Sequence, residues 1–445
     1  MENVAARPTI AVVGTGYVGL TTGACLAHLG LRVVCADIDA DKVAQLRAGE
    51  IPIVEEGLAT IVHDAVAAGN LSFVVGAATA AADAEFVFLC VPTPQDDDGS
   101  ADLSYVAAAS AEIAPVLRPG AVVINKSTVP VGSTLVVERV LERPDVSVVS
   151  NPEFLREGTA VHDFLHPDRV VIGSDDRAAA ERVGALYAAL EAPVLITDAA
   201  SAETIKYAAN GFLAMKISFV NAIAAMCEAV GADVEAVVAG IGSDQRIGGQ
   251  FLRPGPGWGG SCFPKDSRAL VAIAAQHGYD FSMMRGVITV NDEQHERMVR
   301  KVAHAVGRGV AGYRPLEGVA VGALGLAFKA GTDDLRESPS LAILRRLVAL
   351  GADVAAYDPT TAGELSSHQQ ARLANITVHP DPLAALAGAD VAVVLTEWPE
   401  FTELDPVKIA AAMRGAAVVD TRNLLDAAAV RAAGLSYDGV GRKRA

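Results

Sequence analysis

The sequence predicts an α/β protein: two doubly wound domains of parallel strands and helices, joined by a long central helical segment. Three observations carry that reading. Short apolar runs alternate with longer Ala-rich amphipathic ones through about residue 200. Residues 202–239 then read as nearly uninterrupted helix, apolar on several faces. Beyond the Gly- and Pro-rich stretch 307–315 the alternation restarts.

In chain order, strands are expected at residues 9–13, 32–37, 86–91, 122–126, 146–150 and 170–173. A glycine-rich passage at 240–260 follows the long helix, and more helix extends to about 307. Strands return at 318–324, 353–357, 391–395 and 417–420. At 445 residues the chain exceeds one ordinary core, and the expected division is 1–200, 201–310 and 311–445. A helix so long and so broadly apolar needs covering. A second copy of the chain is the natural cover, so a homodimer is expected.

With 51% hydrophobic and 20% charged residues, the composition suits a globular enzyme and not a disordered chain. The net charge of -17 disfavours nucleic acid and anionic membranes as partners. Five cysteines lack the spacing of a metal site, so no metal is expected. Cys25, Cys35, Cys90 and Cys227 sit in apolar runs and read as buried thiols of a reducing compartment; Cys262 does not. Residues 8–31 carry no Lys, Arg, Asp or Glu, yet five glycines interrupt them, which fits strand–turn–helix better than a membrane span. The amino terminus shows no basic signal-peptide region, so a cytoplasmic protein is expected.

Gly14, Gly16 and Gly19 follow the first strand and open a helix, with Asp37 ending the next strand. This is the Rossmann-like fingerprint: one glycine for the turn, one for approach of a pyrophosphate, one for helix–strand packing. The aspartate would accept from ribose hydroxyls and repel a 2′-phosphate, favouring NAD over NADP. Lys42 either touches the ribose and weakens that discrimination, or is merely solvated. The second α/β half has Gly322 and Gly325 but no third glycine, and Asp358 ends its second strand. That incomplete signature points to a ligand other than NAD.

The run G-P-G-W-G-G-S-C-F-P-K-D ends on Cys262 and Asp266. Ser261 is a plausible N-cap, and a cysteine at a helix start reacts as thiolate. The glycines read as clearance around the thiol, and Asp266 would share its helical face. Lys206 and Asn210, four apart on the long helix, could stabilise an oxyanion and orient a water, or could face solvent. Glu153 and Glu157 follow the strand ending at Ser150, and Lys126-Ser-Thr128 follows another at the same sheet edge. Either cluster could serve acid–base chemistry or be a turn.

Taken together, V-G-T-G-Y-V-G-L, V-P-T-P, K-S-T-V-P-V-G, N-P-E-F-L-R-E-G, K-Y-A-A-N, D-Q-R-I-G, G-G-S-C-F-P-K-D and G-L-A-F-K-A-G-T-D-D-L-R-E-S-P resemble the UDP-glucose/GDP-mannose dehydrogenase family along nearly the whole chain. The resemblance implies four-electron, NAD-dependent oxidation of a nucleotide sugar, UDP-glucose to UDP-glucuronate, through a cysteine-bound intermediate. It makes Cys262 the nucleophile, assigns oxyanion and proton work to Lys206, Asn210 and Asp266, and gives the water to Thr128 and Glu153. It puts NAD on Gly14, Gly16, Tyr17, Val18, Gly19, Asp37, Lys42, Thr93, Thr128, Glu157 and Arg336. It puts the sugar nucleotide on Phe154, Leu155, Lys206, Asn210, Phe251, Leu252, Arg253, Pro254, Gly255, Gly259, Phe328, Lys329 and Arg422, with Arg246 entering from a neighbouring subunit. Trp258 departs from the Phe or Tyr usual in relatives. Two rival readings stand: a GDP-mannose or other nucleotide-sugar 6-dehydrogenase, against which Gly158 argues, and a silent NAD-binding regulator, which predicts loss of the catalytic set.

Overall fold

A computed structural model describes residues 7–442 apart from 97–98 and 362–366. The chain forms two compact units: the residues up to Ala209 with Arg268–Tyr279, and Asn210–Ser267 with the residues from Asp280 onward.

The first unit is built on β1 (Thr9–Val13), β2 (Arg32–Asp37), β3 (Leu71–Val75), β4 (Phe86–Leu89), β5 (Val122–Asn125), β6 (Ser147–Ser150), β7 (Val170–Gly173) and β8 (Val194–Thr197). They lie in the order β3-β2-β1-β4-β5-β6-β7-β8, parallel except where β6 meets β7. Alternate residues feed opposite cores: Ile10 and Val12 pack on one face, Ala11 and Val13 on the other. Burial on both faces is why these strands read as continuous apolar runs. Strand order reverses beside β1, so its carboxyl end and that of β4 form the crevice where open α/β sheets bind ligands. Helix α1 (Tyr17–His28) starts there.

The second unit carries β9 (Ala320–Leu324), β10 (Asp353–Tyr357), β11 (Thr377–Val378), β12 (Val391–Val394), β13 (Ala417–Asp420) and β14 (Ser436–Gly439). Their order, β11-β10-β9-β12-β13-β14, repeats the plan of the first sheet, and all pairs are parallel.

Helix α2 (Ala199–Val230) joins the two Rossmann-like domains. The expected helix over 202–239 breaks at Gly231, whose φ of 75° only glycine adopts readily, and α3 (Val234–Gly242) restarts under its own Asp233 cap. The remaining helices used below are α4 (Phe263–Gln276), α5 (Ser282–Ala305) and α6 (Pro339–Ala349). By length and composition α2 could cross a membrane. Several of its polar groups nevertheless have partners within the protein: Glu203 accepts from Gly132 and Thr134, and the Ser218 hydroxyl donates to the Val287 carbonyl. Its exposed large apolar side chains are Phe212, Phe219, Met226 and Val230.

Candidate active site

Gly14 has φ 95°, and its N–H donates to the Ala36 carbonyl at 2.7 Å. A Cβ there would stand 2.6 Å from the Cys90 carbonyl oxygen, and one on Gly19 would stand 1.9 Å from that of Gly14. Above Gly16 nothing lies within 4 Å, and no side chain caps α1. The turn is therefore closed by packing on two sides and open where a pyrophosphate would meet the helix N-terminus. NAD fits this cradle.

At the end of β2, Asp37 Oδ2 accepts from Thr15 N (3.0 Å), Thr15 Oγ1 (2.6 Å) and Lys42 Nζ (3.3 Å). Partial burial raises its pKa, but the Thr15 hydrogen bonds, with that of Asp39 and the Lys42 charge, outweigh this and hold the carboxyl below the usual range. Lys42 is thus held against Asp37, a contact that neither reading of it named. Val18 packs against the sheet core, and the buried Thr93 hydroxyl donates to the Thr128 carbonyl at 2.9 Å. Tyr17 hydrogen-bonds Glu55, and its hydroxyl accepts from the Gly158 N–H at 2.7 Å. Glu55 also takes the Ala160 N–H, so it ties the fingerprint turn to the loop bearing Glu153 and Glu157.

On that loop, Glu153 and Lys206 form an ion pair of 2.7 Å, with side chains 4% and 3% exposed. Lys206 thus does not face solvent. Burial pulls Glu153 up, but the Lys206 charge and hydrogen bond, with the Leu155 N–H at 2.6 Å, hold it below its ordinary value. The Phe154 ring has Arg169 at 3.7 Å and Lys206 Nζ at 5.5 Å. Glu157, on the same loop, and Thr128, just past β5, are both buried. Gly158 has φ 85°, a conformation that serine pays for in strain.

In the second unit, α4 begins at Phe263, so Cys262 is its N-cap, not Ser261, and its carbonyl accepts from Asp266 N at 2.9 Å. Ser261 Oγ lies 3.5 Å from the thiol sulfur. Asp266 is 1% exposed; it accepts from Asn210 Nδ2 and Lys265 Nζ, each at 2.6 Å. Lys206 and Asn210, one turn apart, are thus committed to different carboxylates. The glycines before the cysteine are not simple clearance. A Cβ on Gly259 would stand 2.0 Å from the Glu337 carbonyl oxygen, and one on Gly260 would stand 2.9 Å from the Phe328 ring. Those positions are small because chain packs against them.

Phe251 adopts φ 61°, a strained setting at an expected substrate contact. The Leu252 side chain is buried, leaving its backbone to contact a ligand, while Arg253 is exposed and Pro254 and Gly255 are buried. Arg422 donates to the carbonyls of Leu395 and Phe328 at 2.8 and 2.9 Å and pairs with Glu397. Lys329 lies over the Phe328 ring at 5.6 Å. Arg336 pairs with Asp334, and Arg246, 89% exposed, pairs with Asp244 of its own chain.

Lys126, from the second strand-end cluster, is buried, donates to Asn151 Oδ1 at 3.1 Å, and is pushed down to about 8 by burial. Glu55 and Arg169 were not singled out by the sequence; they act across long sequence separations and left no signal.

Three domains of one family match in order: the NAD binding domain of the UDP-glucose/GDP-mannose dehydrogenase family over residues 8–191, its central domain over 200–293, and its UDP binding domain over 322–427. A Pseudomonas aeruginosa protein named UDP-glucose 6-dehydrogenase is 46% identical, over 98% of both chains. UDP-glucose 6-dehydrogenase TuaD of Bacillus subtilis is 44% identical over 97% of this chain and 93% of its own. A UDP-glucose dehydrogenase structure from Pyrobaculum islandicum superposes with a TM-score of 0.89 at 37% identity, covering 99% of each chain. This chain is an NAD-dependent oxidoreductase and belongs to the UDP-glucose/GDP-mannose dehydrogenase family.

Proposed function

We propose that the chain oxidises C6 of UDP-glucose to the carboxylate of UDP-glucuronate, with Cys262 holding the carbon between two oxidations. The observation that carries this reading is a pair of buried contacts made from successive turns of α2: Lys206 on Glu153, and Asn210 on Asp266 at the start of α4. A silent regulator would have no reason to bury two such pairs. The relatives' names support UDP-glucose, and the left-handed Gly158 suits a loop in which the rival sugar type would place serine.

NAD bound at the Gly14–Gly19 turn supplies the hydride acceptor for each oxidation. The first loss of hydride and proton from the C6 alcohol leaves an aldehyde. The Cys262 thiolate adds to its carbon, and the oxygen takes a proton to give a thiohemiacetal. Lys206, Asn210 and Asp266 stabilise that oxygen and move its proton. A second loss of hydride and proton gives the thioester. Glu153, held ionised, and Thr128 position the water that attacks it, and the C–S bond breaks to return the thiolate. Arg253, Lys329 and Arg422 offset the diphosphate in an otherwise acidic protein. The functional division follows residues 1–200 for NAD, 201–310 for the helical segment and 311–445 for the UDP-sugar.

The exposed Phe212, Phe219, Met226 and Val230 of α2 meet a second copy in this reading, and the exposed Arg246 serves the partner's substrate. A cytoplasmic, reducing setting keeps Cys262 a thiol. With limiting UDP-glucose, two NADH should form per product, and a glycosyl adduct should map to the Cys262 peptide. One NADH with free aldehyde rejects the thioester route, and a fully active monomer in sedimentation rejects the dimer.

A further inference from the structure

The segment before Cys262 has few side chains with which to hold itself in place. Gly255, Gly257, Gly259 and Gly260 are interrupted only by Pro256 and Trp258. Such a chain is entropically costly to order and has backbone groups to satisfy. The structure supplies that order from outside the segment, through buried amide side chains on two helices.

At Gly255, the N–H donates to Asn221 Oδ1 of α2 at 2.8 Å, and the carbonyl accepts from Gln294 Nε2 of α5 at 2.7 Å. At Trp258, the N–H donates to Asn291 Oδ1 at 2.8 Å, and the carbonyl accepts from Asn291 Nδ2 at 3.0 Å. Asn291 thereby imitates a neighbouring strand with one side chain. All three amides are buried: Asn221 is 1% exposed, Gln294 3% and Asn291 4%. Between the clamped residues, Gly257 has φ 127°, and a Cβ there would stand 2.8 Å from both Asn291 Oδ1 and His295 Nε2. The Trp258 indole N–H donates to Ser218 Oγ at 2.9 Å, which fixes the ring of the unusual tryptophan. A fold that needed only a filled space here would use apolar side chains, since buried amides are costly, and Asn221 is kept although its Nδ2 finds no hydrogen-bond partner among the described residues.

We propose that Asn291 and Gln294, with Asn221, are positioning residues for the reaction: they fix the backbone of Gly255 and Trp258 and so set where Cys262 and the sugar-contacting Gly255 stand. They touch no reacting atom and act through the loop. This deepens the Cys262 reading given above and rests on it. Near-attack geometry is sensitive to displacements of about 1 Å, so loosening the clamp should cost rate as well as affinity.

The test uses Asn291→Leu and Gln294→Met, which keep volume and remove the hydrogen bonds, with Asn291→Asp, which keeps the acceptor for Trp258 N–H. Three quantities are read on the full-length enzyme: kcat, KM for UDP-glucose, and the rate of iodoacetamide alkylation at Cys262 by peptide mass spectrometry. Asn291→Leu should lower kcat/KM at least tenfold and shift the alkylation rate at least threefold. Gln294→Met should act chiefly on KM, and Asn291→Asp should fall between Asn291→Leu and the wild type. Folded variants with wild-type kcat, KM and alkylation, and only a lower melting temperature, overturn the proposal in favour of plain structural support. If Asn291→Leu does not fold, Gln294→Met decides on the same readouts. Cys262→Ala separates the two levels. Full activity in that variant removes the nucleophile, whereas normal Asn291→Leu and Gln294→Met beside a dead Cys262→Ala removes only the clamp.

Discussion

The two sheets share a strand order, and their glycine turns begin alike. Gly14 N–H donates to the Ala36 carbonyl after β1, and Gly325 N–H donates to the Tyr357 carbonyl after β9, both at 2.7 Å. Both glycines have positive φ, 95° and 102°, and both abut the next strand's end. From there they diverge. In the first sheet α1 starts at Tyr17, within the turn, and Asp37 is partly exposed, with Oδ1 accepting only from Asp39 N at 3.2 Å. In the second, helix α6 does not begin until Pro339, and Asp358 is fully buried. Asp358 Oδ2 accepts from Leu326 N, Ala327 N and Trp398 Nε1, while Oδ1 accepts from Thr360. One aspartate is available to a ribose and the other is consumed by the fold. A doubly wound sheet with a glycine turn is thus not sufficient for dinucleotide binding. The two turns differ in where the helix starts and in how fully the aspartate is buried, which agrees with the match of residues 322–427 to a UDP binding domain.

The sharpest way to break this contrast is to remove each aspartate. Asp358→Ala leaves the buried N–H groups of Leu326 and Ala327 and the partly buried Trp398 indole N–H unpaired and should cost about 3–5 kcal/mol in urea unfolding. Asp37→Ala, at a partly exposed site, should cost about 1 kcal/mol or less. Equal costs would mean that Asp358 is not structural. Next come the shared glycines: Gly14→Ala and Gly325→Ala should each destabilise by about 1–3 kcal/mol, because both meet backbone or side-chain atoms at positive φ. A benign Gly14→Ala would show that the first turn can relax where the second cannot.

Cofactor choice should follow only one aspartate. Asp37→Ala should reduce the NAD-over-NADP ratio of kcat/KM by about tenfold, or about 1.4 kcal/mol. Asp358→Asn should leave the ratio unchanged; a change there would give the second turn a role in cofactor choice. The smallest effect is on acid stability. The folded pKa of Asp37 is depressed, so its contribution is present above the unfolded value of about 3.9 and is lost as pH falls through the folded one. The stability gap between wild type and Asp37→Asn should therefore be present at pH 7 and shrink below about pH 4. A gap independent of pH would assign the effect to packing.

What the sequence revealed follows from range. The glycine fingerprint, Asp37 and the central strands β1, β2, β4 and β5 are local patterns with strong apolar contrast. Strands β3, β8, β11 and β14 went unread because they lie at sheet edges or partly in solvent, and β11 has only two residues. The break in the long helix turns on Gly231, one glycine in an apolar run. For the site, residue types were legible and partners were not. Lys206 and Glu153 are 53 positions apart, and Glu55 reaches Ala160 across 105. Asn221, Asn291 and Gln294 look like ordinary polar residues on amphipathic helices until the loop they hold is seen.

No disulfide joins any of the five cysteines, and four of them are sealed in the interior. Burial pushes the thiols of Cys25 and Cys90 up to about 12 and that of Cys35 higher, and Cys227 is 1% exposed. Only Cys262 is even partly open to solvent. To a soluble electrophile or to peroxide, the folded enzyme therefore presents a single reactive thiol. On the proposal that Cys262 is the nucleophile, reagent uptake of one equivalent would count intact active centres in a preparation. The same arrangement would then concentrate oxidative damage on the residue that turnover needs, so activity should fall before any change in fold is detectable.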